Sequence, residues 1–186
     1  DKQAVAAIAP HFDIAQSVGL AQTIWLASGG ILNTSSDGGA TWIPHPQFNT
    51  AAVDPGDWRI SALAFADDWN TSGNALVGRW QQSKSSITKE EGEIWVTNDG
   101  GQTFSLSLSD NSSFRALVGA PPSRAGSTSF FAAVSEYPWL GATALGPGVL
   151  RSDDGGLTWS DFGNAQDFIG RYAAGDTLVQ NINYRQ

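Results

Sequence analysis

The stretch Ser35-Ser36-Asp37-Gly38-Gly39-Ala40-Thr41-Trp42 decides the fold, because the chain writes it three times. It returns as Thr97-Asn98-Asp99-Gly100-Gly101-Gln102-Thr103-Phe104 and as Ser152-Asp153-Asp154-Gly155-Gly156-Leu157-Thr158-Trp159. The shared pattern is [Ser/Thr]-x-Asp-Gly-Gly-x-Thr-[Trp/Phe], and the Asp-to-Asp spacings are 99 − 37 = 62 and 154 − 99 = 55. Recurrence at such spacings marks a repeat architecture. Asp-Gly between apolar runs is a strong hairpin signal, since glycine takes positive φ without steric cost. The Asp carboxylate can bond the amides of its own turn, and the Ser and Thr hydroxyls can complete the network. The aromatic residue then carries apolar area inward on the following strand. Asp37, Gly39, Thr41, Trp42, Asp99, Gly101, Thr103, Phe104, Asp154, Gly156, Thr158 and Trp159 are therefore read as structural. A calcium loop would need alternating oxygen ligands that the pattern lacks.

Strands fall around each copy by period-2 or buried apolar character. The first unit offers Ser17–Ala21, Thr23–Ala27 and Ile31–Thr34, with Gly29-Gly30 as a tight hairpin. The second offers Ile60–Ala66, Ala75–Trp80, Glu93–Thr97 and Thr103–Leu108; the third offers Phe114–Gly119, Ser129–Ser135, Val149–Ser152 and Thr158–Phe162. No segment reads as a convincing helix. Four strands per unit is the makeup of a propeller blade. The expected fold is an all-β β-propeller of four-stranded antiparallel blades, about three blades plus a partial fourth. The blades fall at about 13–46, 58–108 and 113–162, and the fragment at 167–186. Closed propellers hold about 4–8 blades, so further blades or a protein partner are expected to complete this one.

The repeated pattern resembles the Asp box of the BNR (sialidase-type) family, found in sialidases, xyloglucanase-type glycosidases, sortilin-like receptors and photosystem assembly factors. The resemblance covers roughly residues 13 to 162. In glycosidases of this family the substrate cleft lies on the face opposite the boxes, which implies that function here belongs to the loops on that face. Those loops are 48–58, 80–92, 109–113, 137–148 and 163–170. A sialidase would need an arginine trio, and no motif identifies one among the arginines here, although Arg59 and Arg115 begin equivalent inner strands.

On that face Trp58, Trp80, Tyr137 and Trp139 are candidates for an aromatic platform that stacks on sugar rings; Trp58 and Trp80 suit inter-blade core equally well. Glycoside hydrolysis needs two carboxylates, roughly 5–5.5 Å apart for retention and 6.5–9.5 Å for inversion. Asp54, Asp57 and Asp167 are the candidates, with Asp54-Pro55-Gly56 readable as a plain turn. Asp67-Asp68-Trp69 falls on the box side and reads as a solvated turn.

Composition narrows the classes. The chain has 186 residues, 41% hydrophobic and 15% charged, which is a globular balance. A net charge of −8 with 10 scattered basic residues disfavours nucleic acid and anionic membranes. There is no cysteine, so disulfides and thiolate chemistry are excluded. His11 and His45 stand alone, so no metal site is expected, and no motif calls for a cofactor. No apolar run is long enough to span a membrane, and Ala4–Ala9 is too short for a signal peptide. These readings favour a non-catalytic binding or assembly module, exported to the periplasm or outside the cell, engaging protein or glycan. The alternative is a fragment of a xyloglucanase-type glycoside hydrolase.

Overall fold

In the computed structural model, residues 4–15, 20–48, 58–82, 90–110, 113–120, 128–135 and 148–164 are described. They form three four-stranded antiparallel sheets. The first holds β1 (Ala4–Ile8), β2 (Ile24–Ser28), β3 (Ile31–Ser35) and β4 (Ile43–Pro44) in that order. The second holds β5 (Arg59–Phe65), β6 (Ala75–Gln82), β7 (Glu90–Thr97) and β8 (Ser105–Asp110). The third holds β9 (Ser113–Ala120), β10 (Ser129–Ser135), β11 (Gly148–Ser152) and β12 (Ser160–Asn164). Each is a meander whose first strand packs beside the first strand of its neighbour, β1 on β5 and β5 on β9. The described residues make a partial β-propeller of three blades.

The blades are held together by two apolar seams. Between the first and second lie Trp25, Leu32, Phe48, Leu63, Phe65, Trp69, Val77 and Phe104. Trp25 is wedged at 4.8 Å from Phe65, 5.5 Å from Phe104 and 5.7 Å from Trp69 by ring centroids. Between the second and third lie Ala64, Leu76, Ile94, Val96, Phe114, Leu117, Phe130 and Leu150. Side chains of the middle blade alternate between the two seams: Ala75 and Val77 enter one, Leu76 the other. That alternation is the period-2 geometry of a strand buried on both faces.

Two expectations are corrected. The innermost strand of the first blade is Ala4–Ile8, not Ser17–Ala21, so this sheet starts ahead of residue 13. Leu20–Gln22 instead makes a 3-10 turn whose Leu20 carbonyl accepts the Trp69 indole N–H at 2.9 Å. The second concerns Asp67-Asp68-Trp69, read as a solvated turn in a chain without helix. Trp69–Ser72 forms one helical turn ended by Gly73 at φ 66°, and Trp69 is fully buried. An indole in the seam outweighs the polar company on either side of it. The fragment 167–186 lies outside the described residues.

Candidate functional site

The three Asp-Gly-Gly turns share one network. In the first, the Ser35 hydroxyl donates to Asp37 Oδ1 at 2.7 Å and accepts the Gly39 amide at 2.8 Å. Asp37 then accepts the Thr41 amide at 2.9 Å and the Thr41 hydroxyl at 2.5 Å. Thr97, Asp99, Gly101 and Thr103 repeat these bonds, as do Ser152, Asp154, Gly156 and Thr158. The Thr41 hydroxyl and amide, with Ser35, hold the Asp37 carboxyl down to about 2. Burial pushes the Asp99 and Asp154 carboxyls up, but the hydrogen bonds from Thr103 and Thr158 outweigh it and hold both below the usual carboxylate range. Each of these carboxylates accepts at both oxygens from its own turn.

Each turn is stapled to the connection between the first and second strands of its blade, through Gly38 N to Gln22 O, Gly100 N to Gly73 O and Gly155 N to Thr128 O. The second and third turns also press on the blade before them. A Cβ on Gly101 would meet Trp25 at 3.0 Å, and one on Gly156 would meet Leu76 at 2.6 Å. The aromatic that ends each copy sits in the connection just before its strand. Phe104 is buried against Trp25 and Phe48 of the first blade, and the Trp159 indole donates to Ser107 of the second at 2.8 Å. Trp42 was expected to turn inward likewise; it has no blade before it among the described residues and is exposed.

A groove of about 490 Å³ runs on this side between the first blade and the second turn, lined by Thr23, Trp25, His45 and Gly101 among others. Trp25 Nε1 and Thr23 Oγ1 are buried in its wall with no partner among the described residues. His45 Nε2 lies 3.0 Å from Thr34 Oγ1; burial lowers the imidazole pKa, and the Asp99 carboxylate raises it in part.

The opposite side carries the chemistry-bearing hollow. It is about 260 Å³ and is lined by Trp58, Glu91, Glu93, Ser109 and Asp110. Trp58 enters β5, Glu91 and Glu93 open β7, and Ser109 and Asp110 close β8, so three strand ends converge there. Beneath it Arg79 lies between Trp58 and Trp95, its guanidinium 4.4 and 4.9 Å from the two ring centroids. Arg79 Nε donates to Glu93 Oε2 at 2.6 Å, and the Trp95 indole donates to the same oxygen at 2.7 Å. With side chains 10% and 16% exposed, that ion pair is a buried strut. Glu91 Oε2 accepts Gln81 Nε2 at 2.6 Å.

The fold resembles that of an ancestral GH74 enzyme. The likeness to that crystal structure has a TM-score of 0.50 at 16% identity, and covers 80% of this chain and 19% of the other. The chain thus spans about a fifth of the length of that enzyme. No family model matches the sequence, and no curated protein does.

Of the residues singled out from sequence, Trp58 lines the hollow. Trp80 stands apart, stacked by Arg115 of the third blade at 4.4 Å and Arg59 at 5.7 Å, with its Nε1 buried. Asp54, Asp57, Tyr137, Trp139 and Asp167 lie outside the described residues. Glu93, Ser109 and Asp110 were not candidates. Ser109 and Asp110 lie where β8 runs beyond its expected end, and Glu93, the expected start of its strand, lies inside a longer β7. Among the described residues no group of three His, Cys, Asp or Glu is placed to hold a metal ion, and no helix is long and apolar enough to cross a membrane.

Proposed function

We propose that this chain is the glycan-binding part of an exported propeller, acting without catalysis on the face opposite the Asp-Gly-Gly turns. The observation that carries this reading is the hollow that joins the Trp58 ring to three carboxylates and the Ser109 hydroxyl. A sugar presents an apolar C–H face and outward hydroxyl donors. An indole suits the first, and carboxylate oxygens, which accept hydrogen bonds, suit the second. Orienting polar groups around an apolar wall is the usual build of a small-ligand site.

The bonding of Glu93 favours binding over hydrolysis. A general acid must hold a proton and release it to the leaving oxygen. Glu93 Oε2 already accepts from a guanidinium and an indole, so its charge is tied into the scaffold. The second reading, a piece of a glycoside hydrolase, draws on the carboxylates sharing one hollow and on the likeness to the GH74 enzyme.

Calorimetric titration with neutral β-linked glucan and xyloglucan oligosaccharides separates the two. Saturable binding without release of reducing ends is expected, lost in Trp58→Ala and weakened about tenfold in Asp110→Asn. The second variant keeps the test decisive if loss of Trp58 disturbs Arg79. Absence of binding in the intact chain contradicts the proposal; released reducing ends favour the hydrolase.

A further inference from the structure

We propose that Asp37-Gly38, Asp99-Gly100 and Asp154-Gly155 are latent sites of spontaneous isoaspartate formation, and that the hydroxyl bonds of the folded turns keep them closed. The inference stands apart from the glycan reading and rests on bonds that each turn makes among the described residues.

An Asp followed by Gly is chemically exposed, because no side chain shields the next backbone nitrogen. That nitrogen can attack the side-chain carboxyl carbon. One N–C bond forms, one C–O bond breaks, and water leaves, made of the carboxyl O–H and the amide proton. A second water then opens the five-membered imide. Attack at the former side-chain carbonyl restores Asp. Attack at the backbone carbonyl gives isoaspartate, whose main chain runs through Cβ and Cγ. No oxidant or other reagent takes part. The three turns hold every Asp-Gly pair of the chain, and it has no Asn-Gly pair.

The reaction has three requirements. The amide nitrogen must lose its proton, the carboxyl must carry one so that it can leave as water, and one carboxyl oxygen must be given up. The folded turns oppose each. The three amides donate to carbonyls of the strand connection, Gly38 to Gln22 at 3.1 Å, Gly100 to Gly73 at 3.2 Å and Gly155 to Thr128 at 3.0 Å. One carboxylate oxygen accepts the hydroxyl of Ser35, Thr97 or Ser152, at 2.7, 2.7 and 2.8 Å. The other accepts the hydroxyl of Thr41, Thr103 or Thr158, at 2.5 Å in each turn. Ring closure expels one of these two oxygens, so it cannot proceed with both bonds kept. The same bonds hold the carboxylate ionised. At Asp37, brought to about 2 from the ordinary 3.8, the protonated form is roughly sixtyfold scarcer at neutral pH. Conversion therefore waits on local opening of the turn.

A converted turn does not close again. Isoaspartate lengthens the main chain by one atom, just ahead of the glycines that lie against Trp25 and Leu76 in the second and third turns. The lock itself is on the surface, since Thr41, Thr103 and Thr158 are exposed. A single hydroxyl can thus be removed with little disturbance of the seams.

The full chain is incubated for several weeks at neutral pH, folded and in urea, then digested, and isoaspartyl peptides are counted by mass spectrometry with electron-transfer fragmentation. In urea the three sites are expected to convert together, at the rate of an unstructured Asp-Gly peptide. In the folded chain each is expected to be slower by about tenfold or more, the scale of one bond to a charged acceptor. Thr103→Val keeps the side-chain shape and deletes the hydroxyl; it should speed Asp99 about tenfold while Asp37 and Asp154 stay slow. Thr103→Ser should restore the slow rate, and Thr158→Val should act on Asp154 alone. A folded chain that converts at the urea rate, or a Thr103→Val variant in which Asp99 stays slow, overturns the proposal. So does a rise shared equally by all three sites in both valine variants, because the hydroxyls would then act through global stability alone.

Discussion

Alanine at the second glycine of each turn separates what the turn itself needs from what the neighbouring blade imposes. Gly39, Gly101 and Gly156 have φ of 93°, 87° and 91°, so the conformational cost of a Cβ is shared, at roughly 1–2 kcal/mol. Their surroundings differ. The nearest atom to the new Cβ is 3.6 Å away at Gly39, on Trp42 of the same turn, an ordinary contact. At Gly101 it is 3.0 Å away on Trp25, and at Gly156 2.6 Å away on Leu76, both in the preceding blade. Overpacking a closed seam costs about 1–3 kcal/mol more. Gly39→Ala is thus expected to cost about 1–2 kcal/mol, and Gly156→Ala about 2–5. Gly101→Ala falls between them. Urea unfolding at matched m-values measures the differences. Equal losses at all three sites would refute the docking of the turns on the blade before them.

Acid unfolding follows from the carboxylates of the turns. Their folded pKa values lie below the unfolded value near 4. Their stabilising contribution is present above pH 4 and is lost as pH falls from about 4 toward 2, the value at Asp37. A urea midpoint that does not fall over this interval would contradict the network, and Thr103→Ala should shrink the fall. Thr23→Val removes a buried hydroxyl with no partner among the described residues, so stability should hold or rise slightly; a loss above about 1 kcal/mol would show that the hydroxyl is satisfied. Trp69→Phe keeps most of the seam but deletes the bond to Leu20 O, for an expected loss of about 1–3 kcal/mol by thermal or urea unfolding.

The three turns were legible in the sequence because their backbone demands are local. Two successive glycines at positive φ and a carboxylate bonded four residues ahead leave a pattern that tertiary context does not erase. From them the strand count per blade followed. The strand Ala4–Ile8 was hidden because three of its five residues are alanine, which carries little apolar periodicity; what makes it a strand is pairing with β2 across the chain. Trp69 was masked by Asp67 and Asp68, since its burial depends on Leu20, 49 residues earlier. Of the residues that line the hollow, Trp58 alone had been singled out in the sequence. Glu91, Glu93, Ser109 and Asp110 were missed because their convergence is a property of strand register: Glu93 pairs with Ser109 and Gly92 with Asp110 across β7 and β8. Where Trp42 points was equally invisible, since whether a box aromatic is core depends on whether a blade stands before it.

Proton–proton contacts across the two seams test the blade arrangement most directly. With Trp25 selectively labelled, its indole protons are expected to show nuclear Overhauser effects to the Gly101 α-protons, and the Leu76 methyls to those of Gly156. The Gly101 α-protons should also be displaced by the indole ring current. Contacts from Gly101 and Gly156 confined to their own sheets, with ordinary Gly101 shifts, would contradict a stack in which each turn rests on the blade before it.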